Sequence, residues 1–217
     1  MNVFIIAMEK EAVPLFEAME VERDLKVCGK RVLCGNLYGR RCGMIICGVG
    51  KVNAAIGAQI AIDELGADTI INIGVAGGLS NKLKVGEIYE ISHAVQYDFD
   101  LSELNKTTIG TLDECNEAYI PLSPLSLYPL KKLATGDRFN DSNEDFKLLC
   151  EVLNADIRDM EGGAIAQVCM HANVKFRAYK IISDIAGSGS TTEQYLKNLI
   201  LCADTLRREL KNIVNSL

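Results

Sequence analysis

The stretch Asp68-Thr69-Ile70-Ile71-Asn72-Ile73, followed by Gly74-Val75-Ala76-Gly77-Gly78, decides the fold class. Its first six residues are short, almost wholly apolar and have no polar face to turn toward water. Such runs belong to strands covered on both faces, as in parallel sheets with helices on either side. The glycines are expected to break the strand and to leave a small-residue turn at its C-terminal end.

The same grammar repeats in both directions. Residues 2–7 (NVFIIA) read as a first strand, and 9–19 (EKEAVPLFEAM) as a helix with its acids at the N-terminal end. Residues 31–38 and 42–47 read as strands joined by a turn at Gly39, and the glycines of GVGK make a tight turn into a helix from Lys51 to Leu65, with Gly66 as its stop. Strands follow at 86–95, 131–136, 156–159 and 175–184, and helices at 143–153, 162–172 and 191–216. This alternation predicts a single α/β domain over residues 1–217. It has three layers, a central mixed, mostly parallel sheet flanked by helices, and ligand chemistry at the C-terminal ends of strands. Residues 97–130 lack periodicity and carry prolines; in a compact domain so long an irregular segment is expected to be a lid, a binding loop or an interface.

Composition narrows the function. The chain has 217 residues, of which 48% are hydrophobic, ample for one core. A net charge of −6, with Lys131-Lys132 and Arg207-Arg208 as isolated basic pairs, argues against gripping nucleic acid through its phosphates. The eight cysteines form no C-x-x-C pair and several sit in apolar runs, so they read as buried small hydrophobes in a reducing cytoplasm rather than as disulfides or zinc ligands. MNVFIIAMEKE has neither a basic n-region nor a small-residue cleavage site, and no apolar run approaches a membrane span, so neither signal peptide nor membrane contact is expected. No metal or cofactor is indicated.

The informative polar residues fall at strand ends. Glu9 and Glu11 follow the first strand, Gly48 and Gly50 the strand ending at Cys47, Asp137 and Arg138 the strand at 131–136, and Asp159-Met160-Glu161 a strand-to-helix junction; Ser183-Asp184 ends the last strand. The predicted topology brings Glu11, Glu161 and Asp184 to one glycine-lined crevice. Each also has a plain structural reading. Glu9 and Glu11 suit a helix dipole, Glu161 suits a helix start, and Asp184 suits a turn or an N-cap. His93 and His171 read as ordinary structural histidines. GVGK is neither a P-loop nor a dinucleotide fingerprint.

Taken in order, AMEKEAVPL (7–15), GVGKVNAA (48–55), IINIGVAGGL (70–79), KVGEIYEI (84–91), TGDRFN (135–140), DMEGGAIAQV (159–168) and ISDIAG (182–187) resemble the 5′-methylthioadenosine/S-adenosylhomocysteine nucleosidases, within the nucleoside phosphorylase superfamily. The resemblance spans the first strand to the last helix and is weakest across 97–130. It implies a nucleoside phosphorylase-like fold, a homodimer, a purine nucleoside as substrate, a place in methionine salvage and no cofactor. It further implies that Asp184 protonates or hydrogen-bonds N7 of the leaving purine, that Glu11 orients and deprotonates water, and that Glu161 clamps the ribose hydroxyls with Met160 beneath the sugar. Phe139 stacks on the base and the backbone around Asn140 reads its edge. Met8 and Val49 line the 5′ side; Val75, Ala76, Gly77, Lys180 and Ser183 complete the binding residues. Residues 97–130 cap the 5′ group of the neighbouring subunit.

These residue types suit the chemistry. N-glycosidic cleavage builds positive charge on the ribosyl ring and negative charge on the departing base, so one acid must serve the base while carboxylates stabilise the sugar. Asp184 is therefore expected to be raised from its ordinary value and Glu11 to stay ionised. Similar phosphorylases flank the glycine after the central strand with an arginine and a serine, whereas this chain has Asn72 and Val75, neither able to neutralise phosphate. Water is therefore the expected nucleophile; a phosphate-dependent purine nucleoside phosphorylase and a non-catalytic nucleoside-binding protein are the alternatives. The chain departs from the nucleosidases at Val75, usually serine, at Lys180, usually arginine, and across QYDFDLSELN (96–105). A changed cap there, around Tyr97, Phe99 and Leu101, leaves S-adenosylhomocysteine, 5′-deoxyadenosine and aminodeoxyfutalosine open beside methylthioadenosine.

Overall fold

The computed structural model describes residues 1–139 and 142–217. In chain order the elements are β1 (Asn2–Ile6), α1 (Glu9–Ala18), β2 (Met19–Val27), β3 (Lys30–Leu37), β4 (Arg40–Ile46), α2 (Lys51–Asp63), β5 (Thr69–Gly78), β6 (Ile88–Gln96), α3 (Ser102–Asn105) and β7 (Ile120–Pro121). There follow β8 (Leu130–Thr135), α4 (Asn143–Lys147) running into a π-helical turn (Leu148–Val152), β9 (Ile157–Asp159), α5 (Gly162–Ala172), β10 (Lys175–Ile185) and α6 (Thr191–Ser216). No helix among the described residues is long and apolar enough to cross a membrane.

Strand alternation sorts the core into two layers. Val3 and Ile5 of β1, Ile45 of β4 and Ile70 of β5 pack with Ala54, Ala58 and Ala61 of α2 and Ile165 of α5. Their neighbours Phe4, Ile6, Met44 and Ile71 face the other way, onto Ala12 and Leu15 of α1 and Leu206, Leu210 and Ile213 of α6. A period of two on strands buried on both faces is what a three-layer sandwich demands. Each fully buried aliphatic side chain contributes about 1.5–3 kcal/mol from the water it escapes.

The sheet is mixed. Among the described residues its strand pairings are five parallel and five antiparallel. The strands β5, β10, β6, β8 and β9 pair in that order, and β9 returns to β5, so five strands close on themselves. β1, β4, β3 and β2 extend from β5 as an open wing.

Three local features differ from the sequence expectation. Gly74 to Gly78 do not break β5, which runs on to Gly78 between β10 and β9. Gly74, Gly77 and Gly78 are absent from the positive-φ residues, so they serve close approach rather than a turn. Second, β2 occupies 19–27, where no strand is expected. It is an edge strand exposed along nearly its whole length, and its alternation of Met19, Val21, Leu25 and Val27 with charged residues is interrupted at Arg23 by a bulge. Third, the β5–β10 register slips at Ser183: Ile182 faces Ala76 and Asp184 faces Gly77. This bulge re-aims the end of β10.

Candidate active site

The strand ends meet at a cavity of about 410 Å³. β1, β4, β5 and β10 are mutually parallel and arrive from one side, whereas β9 is antiparallel to β5, and β8, parallel to β9, arrives with it from the other. All deliver their C-terminal ends to the same space. Ring closure makes this possible, a geometry that alternation of strands and helices does not reveal. Met8, Glu11, Val49, Val75, Ala76, Gly77, Phe139, Met160, Glu161, Ser183 and Asp184 all line the cavity. Asn140 lies outside the described residues.

Glu11 stands in the first turn of α1, so its helix-dipole reading and its place in the cavity both hold. Its Oε1 accepts a hydrogen bond from the Val75 amide at 3.4 Å, and a methyl at Gly74 would lie 3.7 Å from its Oε2. Burial pushes Glu11 above the usual carboxylate range, opposed by Lys180 and by the Val75 amide. The shift runs upward because a closed-in carboxylate with one long amide bond is poorly solvated.

Glu161 begins α5 but makes no cap hydrogen bond with its side chain. The helix start is served instead by Asp159 Oδ2, which accepts from the Gly162 amide at 2.9 Å, and by Thr135 Oγ1, which accepts from the Gly163 amide at 2.7 Å. That releases the Glu161 carboxylate toward the cavity, where Oε1 accepts from the Gly50 amide at 3.0 Å. Burial, then the neighbouring Asp159, pushes Glu161 up to about 7 against the pull of Lys180.

Asp184 is 1% exposed and follows the bulge. Its Oδ1 accepts from Ser183 Oγ at 2.6 Å. A methyl at Gly77 would lie 2.8 Å from Asp184 Oδ2 and 3.1 Å from Arg158 Nε, so the bare backbone of β5 is what admits this carboxylate. The turn and N-cap reading of Asp184 does not apply, since Ser190 caps α6 and Asp184 lies within β10.

Lys180 does not line the cavity. It is 1% exposed, and its ammonium lies 2.7 Å from Asp159 Oδ2, whose partner oxygen Oδ1 accepts from Thr135 Oγ1 at 2.5 Å. Burial alone would lower Lys180, but Asp159, Glu161 and Glu11 outweigh it and hold the ammonium raised. Asn72 also turns away: its amide donates to the Ile5 carbonyl at 2.9 Å, tying β5 to β1.

Sequence reading gave no site role to part of the wall, although it marked Arg138 and Asp159 at strand ends. Ala7, Lys10, Arg138, Arg158, Asp159 and Tyr195 also face the cavity. Tyr195, on the far helix α6, meets Phe139 edge-on with ring centroids 5.7 Å apart, and Lys10 Nζ lies 4.8 Å above its ring. Nothing in the periodicity of α6 marks that tyrosine; Arg138, beside Asp137 in TGDR, carried a signal and pairs with Asp145 at 2.9 Å. At the mouth the Asp98 carboxylate takes the Lys51 ammonium at 2.5 Å and the Asp137 amide at 2.9 Å, while Asp137 Oδ1 takes the Lys51 amide at 2.8 Å. This clasp joins the GVGK turn, the turn before Phe139 and the irregular segment. Gly50, at φ 97°, supplies the backbone that lets the first of these close on Glu161. His93 and His171 lie elsewhere, against Ser92 and Glu114.

The sequence model of the phosphorylase superfamily matches residues 3–215. The 5′-methylthioadenosine/S-adenosylhomocysteine nucleosidase of Baumannia cicadellinicola is 34% identical over 230 residues, 97% of this chain and 97% of its own. The crystal structure of the nucleosidase of the same name from Colwellia psychrerythraea, in complex with adenine, is 28% identical with a TM-score of 0.91, covering 100% of this chain and 96% of that one. The futalosine hydrolase of Helicobacter pylori is 25% identical with a TM-score of 0.90, covering 100% and 98%. The chain belongs to the phosphorylase superfamily and, within it, to the 5′-methylthioadenosine/S-adenosylhomocysteine nucleosidases.

Proposed function

We propose that the protein hydrolyses the N-glycosidic bond of 5′-methylthioadenosine, S-adenosylhomocysteine or a related 5′-substituted adenosine, releasing adenine and a 5′-substituted ribose. The observation that carries this reading is the convergence of Glu11, Glu161 and Asp184, from three separate strand ends, on one cavity. Asp184, buried and close to Gly77, shares a proton with purine N7 as the base departs. Glu11, across the cavity at the start of α1, orients and deprotonates water. Glu161 binds the ribose hydroxyls, with Met160 under the sugar. Positive charge on the sugar and negative charge on the base are then each met by a preplaced group. Phe139, 51% exposed, swings over the base with Tyr195 behind it. Met8 and Val49 form the 5′ wall, with Val75, Ala76, Gly77 and Ser183 lining the floor.

Water is the nucleophile. Val75 offers no polar side chain, Asn72 is engaged with β1, and Glu11 stands where a phosphate would be repelled. A phosphorolytic reading is not favoured.

The protein acts as a homodimer in the cytoplasm, with residues 97–130 at the interface and over the partner's 5′ site. Phe99 and Leu101 are only partly buried and do not line this chain's own cavity, as residues that reach a partner would, whereas Tyr97 is packed in the chain's own core. Val52 and Ile56, on the same face of α2, and Leu104 in the segment expose apolar surface, and the Lys51–Asp98 pair places α2 beside that segment. Eight unpaired thiols support a reducing compartment. Incubating purified protein with each candidate nucleoside and following adenine by chromatography tests the reading. Release from methylthioadenosine or S-adenosylhomocysteine is expected, and binding of a nucleoside with no release would overturn catalysis.

A further inference from the structure

Lys180 is a fully buried charge, 1% exposed, that the proposed chemistry does not use. It is the register partner of Gly74, so its side chain rises from the face of the sheet on which a methyl at Gly74 would meet the Glu11 carboxylate. Asp159 fixes how far the ammonium reaches. That carboxylate is itself anchored by Thr135 Oγ1 and the Gly162 amide, both parts of rigid elements, and it holds Lys180 Nζ at 2.7 Å. Glu161 follows two residues later on the same strand-to-helix turn. One immobile positive charge therefore sits behind the cavity wall, shared by the carboxylates on its two sides. Arginine would present a wide bidentate fork at this position, whereas lysine supplies a point charge that one carboxylate can hold back.

We propose that Lys180, held by Asp159 of the cavity wall, is a positioning residue that keeps Glu11 ionised from behind the cavity, without itself touching substrate or water. The inference rests on the reading of Glu11 as the water-activating base. Burial drives Glu11 toward its neutral form, and Lys180 is the largest influence opposing that. The other groups facing Glu11 cannot replace it. Lys10 lies on the exposed side of α1 over the Tyr195 ring, where solvent screens it. Tyr195 is raised by burial, and Cys202 is pushed up to about 12, so both are neutral. Glu161 repels rather than attracts. Facing Lys180 from β4 and the turn after it, Cys47 is likewise neutral, pushed up to about 12.

The test is the pH dependence of kcat/KM for methylthioadenosine, whose acidic limb reports the essential base of the free enzyme. Removing a cation raises a carboxylate, so that limb should move to higher pH. The double variant Lys180→Met/Asp159→Asn keeps the interior free of a lone charge, and its limb should rise by about one pH unit or more, the usual effect of a nearby opposite charge. Lys180→Arg should stay close to wild type. Asp159→Asn alone frees Lys180 to act on Glu11 and should move the limb downward. If the methionine variant does not fold, Lys180→Gln/Asp159→Asn, which retains a hydrogen bond between the two side chains, reads the same limb. A folded double variant with the wild-type limb overturns the proposal. Carbon NMR titration of glutamate labelled at the side-chain carboxyl separates this from the reading of Glu11: the Glu11 resonance should titrate at higher pH in the double variant whether or not Glu11 is the base. Substantial turnover in Glu11→Gln would sink that role alone.

Discussion

Replacing Gly77 by alanine probes the placement of Asp184 without removing a charged group. Gly77 lies in extended β5 with no positive φ, so alanine adds no backbone strain. Its methyl would lie 2.8 Å from Asp184 Oδ2 and 3.1 Å from Arg158 Nε, where ordinary contact begins at 3.4 Å. The carboxylate must therefore retreat by roughly 0.6 Å. It has little freedom to do so, because Ser183 Oγ holds Oδ1 and the bulge fixes the backbone. A proton donor misplaced by up to about 1 Å can cost around a hundredfold in rate, which is ~2.7 kcal/mol of transition-state stabilisation. We expect kcat for methylthioadenosine to fall by about thirty- to a hundredfold, with KM changing far less because the sugar and 5′ contacts are elsewhere. Gly78→Ala is the internal control: its methyl meets the flexible end of Leu83 at 3.2 Å, so activity should stay within about threefold of wild type. Steady-state kinetics of both variants, with thermal unfolding to confirm the fold, decide the matter. A folded Gly77→Ala enzyme with near wild-type kcat would refute the claim that this contact places the catalytic acid.

Three further outcomes follow from the same geometry. Glu161 moves from an ordinary 4.5 up to about 7, so its protonated form stabilises the ligand-free protein; that contribution is complete below 4.5 and is lost as pH rises through about 7. The thermal midpoint should fall across that window, and Glu161→Gln should flatten the slope. Asp98→Asn weakens the clasp at the mouth and should raise KM about three- to tenfold, or ~0.7–1.4 kcal/mol, while leaving kcat nearly unchanged, since asparagine keeps part of the roughly 1.5–3 kcal/mol that charge-assisted bonds contribute. Phe139→Ala removes the ring that faces the base and its edge contact with Tyr195, and should raise KM by about tenfold, or ~1.4 kcal/mol, as measured by initial rates.

Much of this was legible in the sequence because the residues concerned have few other places to go. A short, β-branched apolar run such as Thr69–Ile73, followed by glycines, reads as a strand covered on both faces, and an acid at the end of such a run, as at Asp184, needs a reason. The expected helices and strands largely coincide with the observed ones, and α5 spans 162–172 as predicted. What stayed hidden depends on contacts distant in sequence. Closure of the ring rests on two short pairings of β9, three residues long, with β5 and β8. Tyr195 and Lys10 reach the cavity only because α6 and α1 pack side by side. The placement of Lys180 behind the wall could not be read either, since a strand position fixes which face a side chain leaves, not which carboxylate captures it. Glu161 was ambiguous for a specific reason: any acid at a helix start can cap it, and only the structure shows Asp159 and Thr135 taking that task.

The central claim is that water, not phosphate, attacks the sugar. The direct measurement is the identity of the sugar product when methylthioadenosine is turned over in phosphate buffer, read by mass spectrometry alongside a phosphate-free reaction. Free methylthioribose in both, with equal rates of adenine release, is the predicted result. Methylthioribose 1-phosphate, with adenine release that stops when phosphate is withdrawn, would contradict it.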